Sequence, residues 1–301
     1  MEKILKKLYF LFIMKKNYFR FSNILNFAFT AIFTLFSASN AFSQNSLENE
    51  SKMIQEIFDF RLSLRSLPDA DSCIEKIHEY KSLNGEKINS LGEESRLTCE
   101  NMLATAEYNC EYEKDIHSPN MEKILRPQYE KIAEFSKGKS AENLNPYFVL
   151  TSADLTNSML QFLPRSNSIT LGLQEKIDYA VVLKNNPKMA FALTLSGWWY
   201  YYAPAVGGGS DSKAKEFFEL AAQNAVSDYD RYYCSINLAQ FYFEKKKADL
   251  CEKYMEEAEK ILPETRYVKF LRKINRIGYS LFDYNMNSRR EKIDKKLIVE
   301  D

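Results

Sequence analysis

Two stretches of this chain follow the same order of side chains. Residues 197–222 read GWWYYYAPAVGGGSDSKAKEFFELAA, and residues 238–263 read LAQFYFEKKKADLCEKYMEEAEKILP. Each opens with an aromatic-rich helical segment, breaks at a glycine-rich or basic turn, and resumes as a helix with alanines at regular spacing. Small residues let two helices approach closely, and bulky ones fill the groove between neighbours. One such unit cannot bury its apolar face alone, so tandem copies predict stacked helical hairpins.

The rest of the chain agrees with an all-α fold. Glycine (9) and proline (8) are scarce in 301 residues, and apolar side chains recur at helical rather than alternating spacing. Helices are expected near 47–66, 69–82, 93–114, 119–137, 147–162, 170–185, 188–203, 211–226, 229–245, 247–262 and 266–284. Pro68, Pro119, Pro146, Pro164, Pro187 and Pro263 fall at or beside these ends, where a missing N–H does no harm. Pro127 is the exception, inside an expected helix. The segment 266–284 carries Tyr267, Phe270, Leu271, Ile274, Leu281 and Phe282 on one face and Lys269, Arg272, Lys273 and Arg276 on the other. That is the pattern of a capping helix, with membrane-surface binding of the basic face as the sharper alternative. Residues 287–301 are dense in charge and expected to be a mobile tail.

At the N-terminus, Lys3, Lys6, Lys7, Lys15, Lys16 and Arg20 precede an apolar run from Ile24 to Phe36, then small residues to Ser43. Thirteen apolar-dominated residues are short for a membrane span and suited to a secretory signal peptide over 1–43, with translation from Met1 or Met14. An uncleaved anchor is the alternative. Setting aside that segment's six basic and one acidic residue leaves 35 basic and 40 acidic, a poor balance for nucleic-acid binding. Five cysteines follow it: Cys73, Cys99, Cys110, Cys234 and Cys251. Their spacing fits no metal motif, and an odd number leaves at least one thiol unpaired. Most are expected to be small core residues; a Cys73–Cys99 bridge is the alternative in an oxidising compartment.

The second unit resembles a tetratricopeptide (TPR) repeat. Leu238, Ala239 and Tyr242 match the first helix of that motif, and Cys251, Met255, Ala258 and Pro263 the second. Gly197, Tyr200, Ala214, Phe218 and Ala221 repeat the pattern upstream. The 37 residues from Ala221 to Ala258 lie close to the 34-residue period of TPR arrays. YAVVLKNNP, residues 179–187, reads as the end of a further unit with Ala180 in the alanine role; 47–137 reads as two hairpins without a signature. The stretch YYYAPAVGGGSDSKAKEFFELAA also resembles exported bacterial TPR proteins, more loosely the TatT-type periplasmic component associated with TRAP transporters. That resemblance implies a periplasmic α-solenoid, a pore or cleft for an apolar ligand, and in some members a trimer. The expected organisation is therefore a signal peptide (1–43), a TPR-like α-helical repeat domain (44–286, clearest at 188–226 and 229–263, capped by 266–284) and a charged tail (287–301).

The TPR alignment places Tyr200 inside the hairpin, and Trp198, Tyr201 and Tyr202 on the concave face of first helices. The corresponding positions of the next unit are Gln240, Phe243 and Glu244, with Tyr233 two turns earlier. These seven are the candidate binding residues, since rigid aromatic rings supply contact area at low entropic cost; the alternative is that they pack internally. Gly207–Gly209 precede a helix start but lack the GK[ST] ending of a phosphate loop, so they read as an enlarged inter-helix loop. The two histidines, His78 and His117, sit in no catalytic or metal motif, and no G-x-S-x-G occurs. The expectation is a non-catalytic, cofactor-free protein of the cell envelope. Its concave groove takes a peptide or protein partner, with a transporter-associated site for a small apolar solute as the alternative. Neither nucleic-acid binding nor stable membrane insertion after cleavage is expected.

Overall fold

A computed structural model describes residues 48–300, so the expected signal segment lies outside the described residues. The chain divides into two units, 1–52 and 53–301. In the first, residues 48–52 are helical. The second opens with helix α1 (53–63) and a single 3₁₀ turn (Leu64–Ser66). Eleven helices of about three to six turns and one four-residue turn follow: α2 (Ala70–Asn89), α3 (Glu93–Lys114), α4 (Asn120–Ser136), α5 (Pro146–Met159), α6 (Arg165–Asn185), α7 (Ala190–Tyr202), α8 (Asp211–Asn224), α9 (Asp228–Glu244), α10 (Ala248–Ile261), α11 (Arg266–Arg276), α12 (Leu281–Tyr284) and α13 (Asn287–Glu300). No strand occurs among the described residues, so the chain is all-α.

Local chemistry sets most boundaries. The side chains of Asp69, Asn145, Ser210, Ser227 and Thr265 each accept a hydrogen bond from a first-turn N–H of the helix they precede. Such caps satisfy donors that a helix start leaves free. Pro146 opens α5, and Pro119 and Pro164 sit at the caps of α4 and α6. Pro127 lies within α4 without ending it.

Consecutive helices from α2 to α10 pack on one another. In the α7–α8 and α9–α10 hairpins, Ala214, Phe218, Ala221, Leu238, Ala239, Tyr242, Met255 and Ala258 are all buried, as the repeat pattern expects. Cys251 and Tyr200 are half-buried; Tyr200 stacks on Phe217 at 5.3 Å instead of entering the interior. Gly197 has a steric reason to be glycine. A β-carbon there would stand 2.5 Å from two ring atoms of Phe218, which is itself only 1% exposed. Gly197→Ala is expected to destabilise the protein by about 1–3 kcal/mol through overpacking, read from the urea midpoint. Gly197→Ala/Phe218→Leu should regain part of that loss.

Four boundaries differ from the sequence reading. Helix α2 runs through Gly85 to Asn89 because Ile88 packs into the main core. Helix α6 begins five residues early, next to Pro164, and is inverted in part, although Tyr179 and Val182 enter the core. Ile169, Leu173 and Ile177 are exposed on it while Glu175 is 6% exposed, and Ala180 faces outward rather than into a hairpin. The expected helix 266–284 is broken: Gly278 takes φ 87°, and Ser280 starts α12 with a capping box to Asp283. The expected tail is helix α13 over 287–300, with Ile293 fully buried and Arg290 2% exposed. Arg290 donates to the carbonyl of Glu113 at 2.9 Å and lies 3.7 Å over the ring of Tyr284. Tyr112 donates to Asn287 Oδ1 at 2.8 Å, and His117 contacts Glu291 at 3.1 Å. Residues 279–298 thus form an arm that returns from the hairpins to the end of α3.

The basic face of α11 is partly committed within the fold. Arg272 pairs with Glu252 and Glu259 of α10 at 2.7 and 2.9 Å. Among the described residues, no helix is long and apolar enough to cross a membrane.

Candidate functional site

Five of the seven candidate residues meet at one place, and the protein's own chain fills it. Phe282 of α12 has no exposed surface. Its ring lies 4.2 Å from that of Tyr201, 5.1 Å edge-on from Trp198, 6.1 Å from a parallel Phe218 and 6.3 Å from Tyr202. Trp198 stacks on Tyr202 at 5.5 Å, as side chains four apart on a helix do. The Tyr202 hydroxyl donates to the carbonyl of Phe282 at 3.0 Å.

Helix α9 supplies the polar half. Gln240 is fully buried, and its Oε1 accepts from the backbone N–H of Leu281 at 2.8 Å. Its amide also exchanges two hydrogen bonds with that of Asn275, at 3.0 and 3.1 Å. Glu244 accepts a short hydrogen bond from the Ser280 hydroxyl. A buried glutamine must pair its polar atoms to repay desolvation, and Gln240 does so with Asn275 of α11 and with Leu281 on the arm. Burial, with the carboxylates Glu244 and Asp283 nearby, raises the Tyr201 phenol; burial also raises Tyr202 well above the ordinary tyrosine value. Both hydroxyls therefore stay protonated at neutral pH.

The other two candidates lie apart. Tyr233 accepts from Arg65 Nε at 2.7 Å, and the same guanidinium sits 4.1 Å over the Tyr267 ring, joining α9 to the turn after α1 and to α11. Phe243 is half-buried near the end of α9 and is not among the rings against Phe282. An even helical period aligns the seven positions along first helices, yet the arm covers only the part nearest the α7–α9 ends.

The glycine loop closes on itself. Gly208 takes φ 98°, and a β-carbon on Gly209 would fall 1.7 Å from the Ala203 carbonyl oxygen. Ser210 N–H donates to the Tyr200 carbonyl at 2.9 Å, and the Ser210 side chain caps α8. These contacts account for the glycines as a tight inter-helix loop. Trp199 locks α7 to α6 through its indole N–H on the Gly172 carbonyl at 2.7 Å, with Lys176 above its ring at 4.4 Å.

Elsewhere, His78 and Lys81 both contact Glu107 across the α2–α3 hairpin, and those hydrogen bonds hold its carboxyl below the usual value against the opposing effect of burial. Among the described residues, no group of three or more His, Cys, Asp or Glu side chains is placed to hold a metal ion. A polar depression of about 300 Å³ on α8, lined by Ser212, Lys215, Glu216, Glu219, Leu220 and Gln223, includes none of the candidate rings.

Sequence reasoning missed Phe282, Asn275 and Ser280 as partners of the groove. Gly278 followed by Ser280-x-x-Asp283 was the available signal, a helix stop and a new capping box within six residues. No protein-family model and no curated protein matches this chain.

Proposed function

We propose that this is a non-catalytic, TPR-like binding protein of the bacterial cell envelope, whose groove along α7, α8 and α9 accepts peptide segments of a protein partner. The observation that supports this reading is the way the groove holds residues 280–282. It grips a backbone N–H through Gln240, a backbone carbonyl through Tyr202, a hydroxyl through Glu244 and one ring through four others. Backbone bonds plus a side-chain pocket are one general way in which peptide segments are recognised. A partner would present a short turn with a hydroxyl residue two positions before an aromatic one. The space among the rings is taken by Phe282, which favours displacement by a peptide over a standing cavity for a small solute. The envelope location rests on the basic and apolar pattern of residues 3–43.

In the wild-type chain the arm competes as a tethered ligand, at an effective concentration of about millimolar. A fluorescent peptide spanning residues 278–285 tests the groove directly. It should bind the full Phe282→Ala chain at least about tenfold more tightly than wild type, a gap of about 1.4 kcal/mol. Adding Trp198→Ala should abolish the gain. Equal anisotropy with all three chains would remove the peptide-groove reading.

A further inference from the structure

Cys73 of α2 and Cys110 of α3 meet inside the first long hairpin. Its cross-pairs bracket them: Asp71 contacts Lys114 at 2.5 Å on one side, and His78 contacts Glu107 at 2.9 Å on the other. Both thiols belong to one apolar cluster with Leu64, Ala70, Ile77 and Ala106, at 2% and 8% exposure. Both thiols are free in this structure, and the Cys73 thiol donates to the Leu64 carbonyl at 3.3 Å. Two guanidiniums act on the pair electrostatically. Arg266 reaches the Leu67 carbonyl at 3.3 Å and pairs with Glu113, and Arg65 holds the turn after α1.

This environment divides the pair into unlike thiols. The hydrogen bond from Cys110, with Arg266 and Arg65 adding to it against burial, brings Cys73 down to about 7. The same hydrogen bond and burial push Cys110 up. Cationic neighbours make a thiolate available at neutral pH, and the thiolate is the attacking species in disulfide exchange. The other cysteines are placed differently. Cys99 lies in the main core, eleven residues along α3 from Cys110, about 16 Å away along the helix axis. That exceeds the Cα separation of roughly 4.4–6.8 Å that a disulfide spans, so the Cys73–Cys99 alternative does not fit the hairpin. Cys234 shares a hydrogen bond with Thr194 at 3.6 Å.

We propose that Cys73 and Cys110 form a redox pair that an external low-molecular-mass disulfide converts into one internal bridge joining α2 to α3. The Cys73 thiolate attacks one sulfur of the external disulfide, forming a mixed disulfide and expelling one thiolate. Cys110 then gives up its proton, and its sulfur attacks the Cys73 sulfur, expelling the second thiol. Two protein thiols are oxidised to one disulfide while the external disulfide is reduced to two thiols. Both thiols are buried in the folded chain, so the exchange is completed as the α2–α3 hairpin closes.

The test uses the full wild-type chain, reduced and then refolded with glutathione disulfide. Acid quenching, denaturation and alkylation with a mass tag follow. Three tags are expected, on Cys99, Cys234 and Cys251, against five for protein refolded with reduced glutathione. Cys99 and Cys110 fall on one tryptic peptide, so cleavage after Glu100 or Glu107 is needed to separate them. The expected product is a Cys73 peptide joined to a Cys110 peptide and released by reduction. Five tags after oxidation, or a bridge that includes Cys99, Cys234 or Cys251, would overturn the assignment.

Discussion

Phe282→Ala is expected to lower stability by about 3–5 kcal/mol, the range for emptying a fully buried aromatic site. Phe282 has no exposed surface and touches four rings, so the wall around the void cannot collapse without moving α7. The local polar contacts add to the effect. When the arm loosens, Gln240 loses the Leu281 N–H and keeps only its pair with Asn275, and a buried polar group left without a partner costs about 1–3 kcal/mol. Urea titration followed by tryptophan emission reads both consequences, because Trp198 borders the site and the chain has only two tryptophans. A lower midpoint and a red-shifted native emission are expected, with Phe282→Leu recovering most of the midpoint. A loss below about 1 kcal/mol would mean that Phe282 is not packed as described.

Stability is also expected to fall as the pH rises from about 5 to 8, and Glu175 is the reason. Burial pushes its carboxyl up to about 8, and Asp154 and Asp178 add like charge. Its Oε1 is buried with no hydrogen-bond partner among the described residues. Arg61 is the nearby cation, acting on Asp154, but its own Nη1 is also buried and unpartnered. The adjacent helix α7, AFALTLSGWWYYY, carries no side chain charged at neutral pH. The folded protein therefore keeps a proton on Glu175 that the unfolded chain releases near 4.5. Where the native state holds more protons than the unfolded state, stability declines with pH. The contribution is fully present below 4.5 and is lost up to about 8, with a limiting slope of about 1.4 kcal/mol per pH unit. Urea midpoints at pH 5, 7 and 9 measure the slope. Glu175→Gln, which stays neutral throughout, should flatten it and stabilise the protein at pH 9. An unchanged slope in that variant would assign the effect to other groups.

The two hairpins were legible in the sequence because their information is local. Ala214, Phe218, Ala221, Met255 and Ala258 sit at positions set by helical spacing, and Ser210 and Ser227 mark the starts. The groove residues were half legible. Helical position indicates that Trp198, Tyr201 and Gln240 share a face, but not that Phe282 stands against them from 42–84 residues away along the chain. Helix α13 was illegible for the same reason. Its sequence is charged, and what orders it is Ile293 in the core and Arg290 on the Glu113 carbonyl, 177 residues distant. Helix α6 misled in another way, since Ile169, Leu173 and Ile177 face out and Glu175 faces in beside the buried Tyr179 and Val182.

The return of the arm also has a consequence for the order in which the protein is made. A stacked hairpin array can acquire structure step by step, because each unit touches mainly its neighbours. Here residues 279–298 are synthesised after every surface they cover, from the end of α3 to α9. Until they emerge from the ribosome, at about 5–20 residues per second, Trp198, Tyr201 and Gln240 lack their cover. The nascent chain therefore passes through an interval in which its most aromatic surface is open, and that surface is covered last.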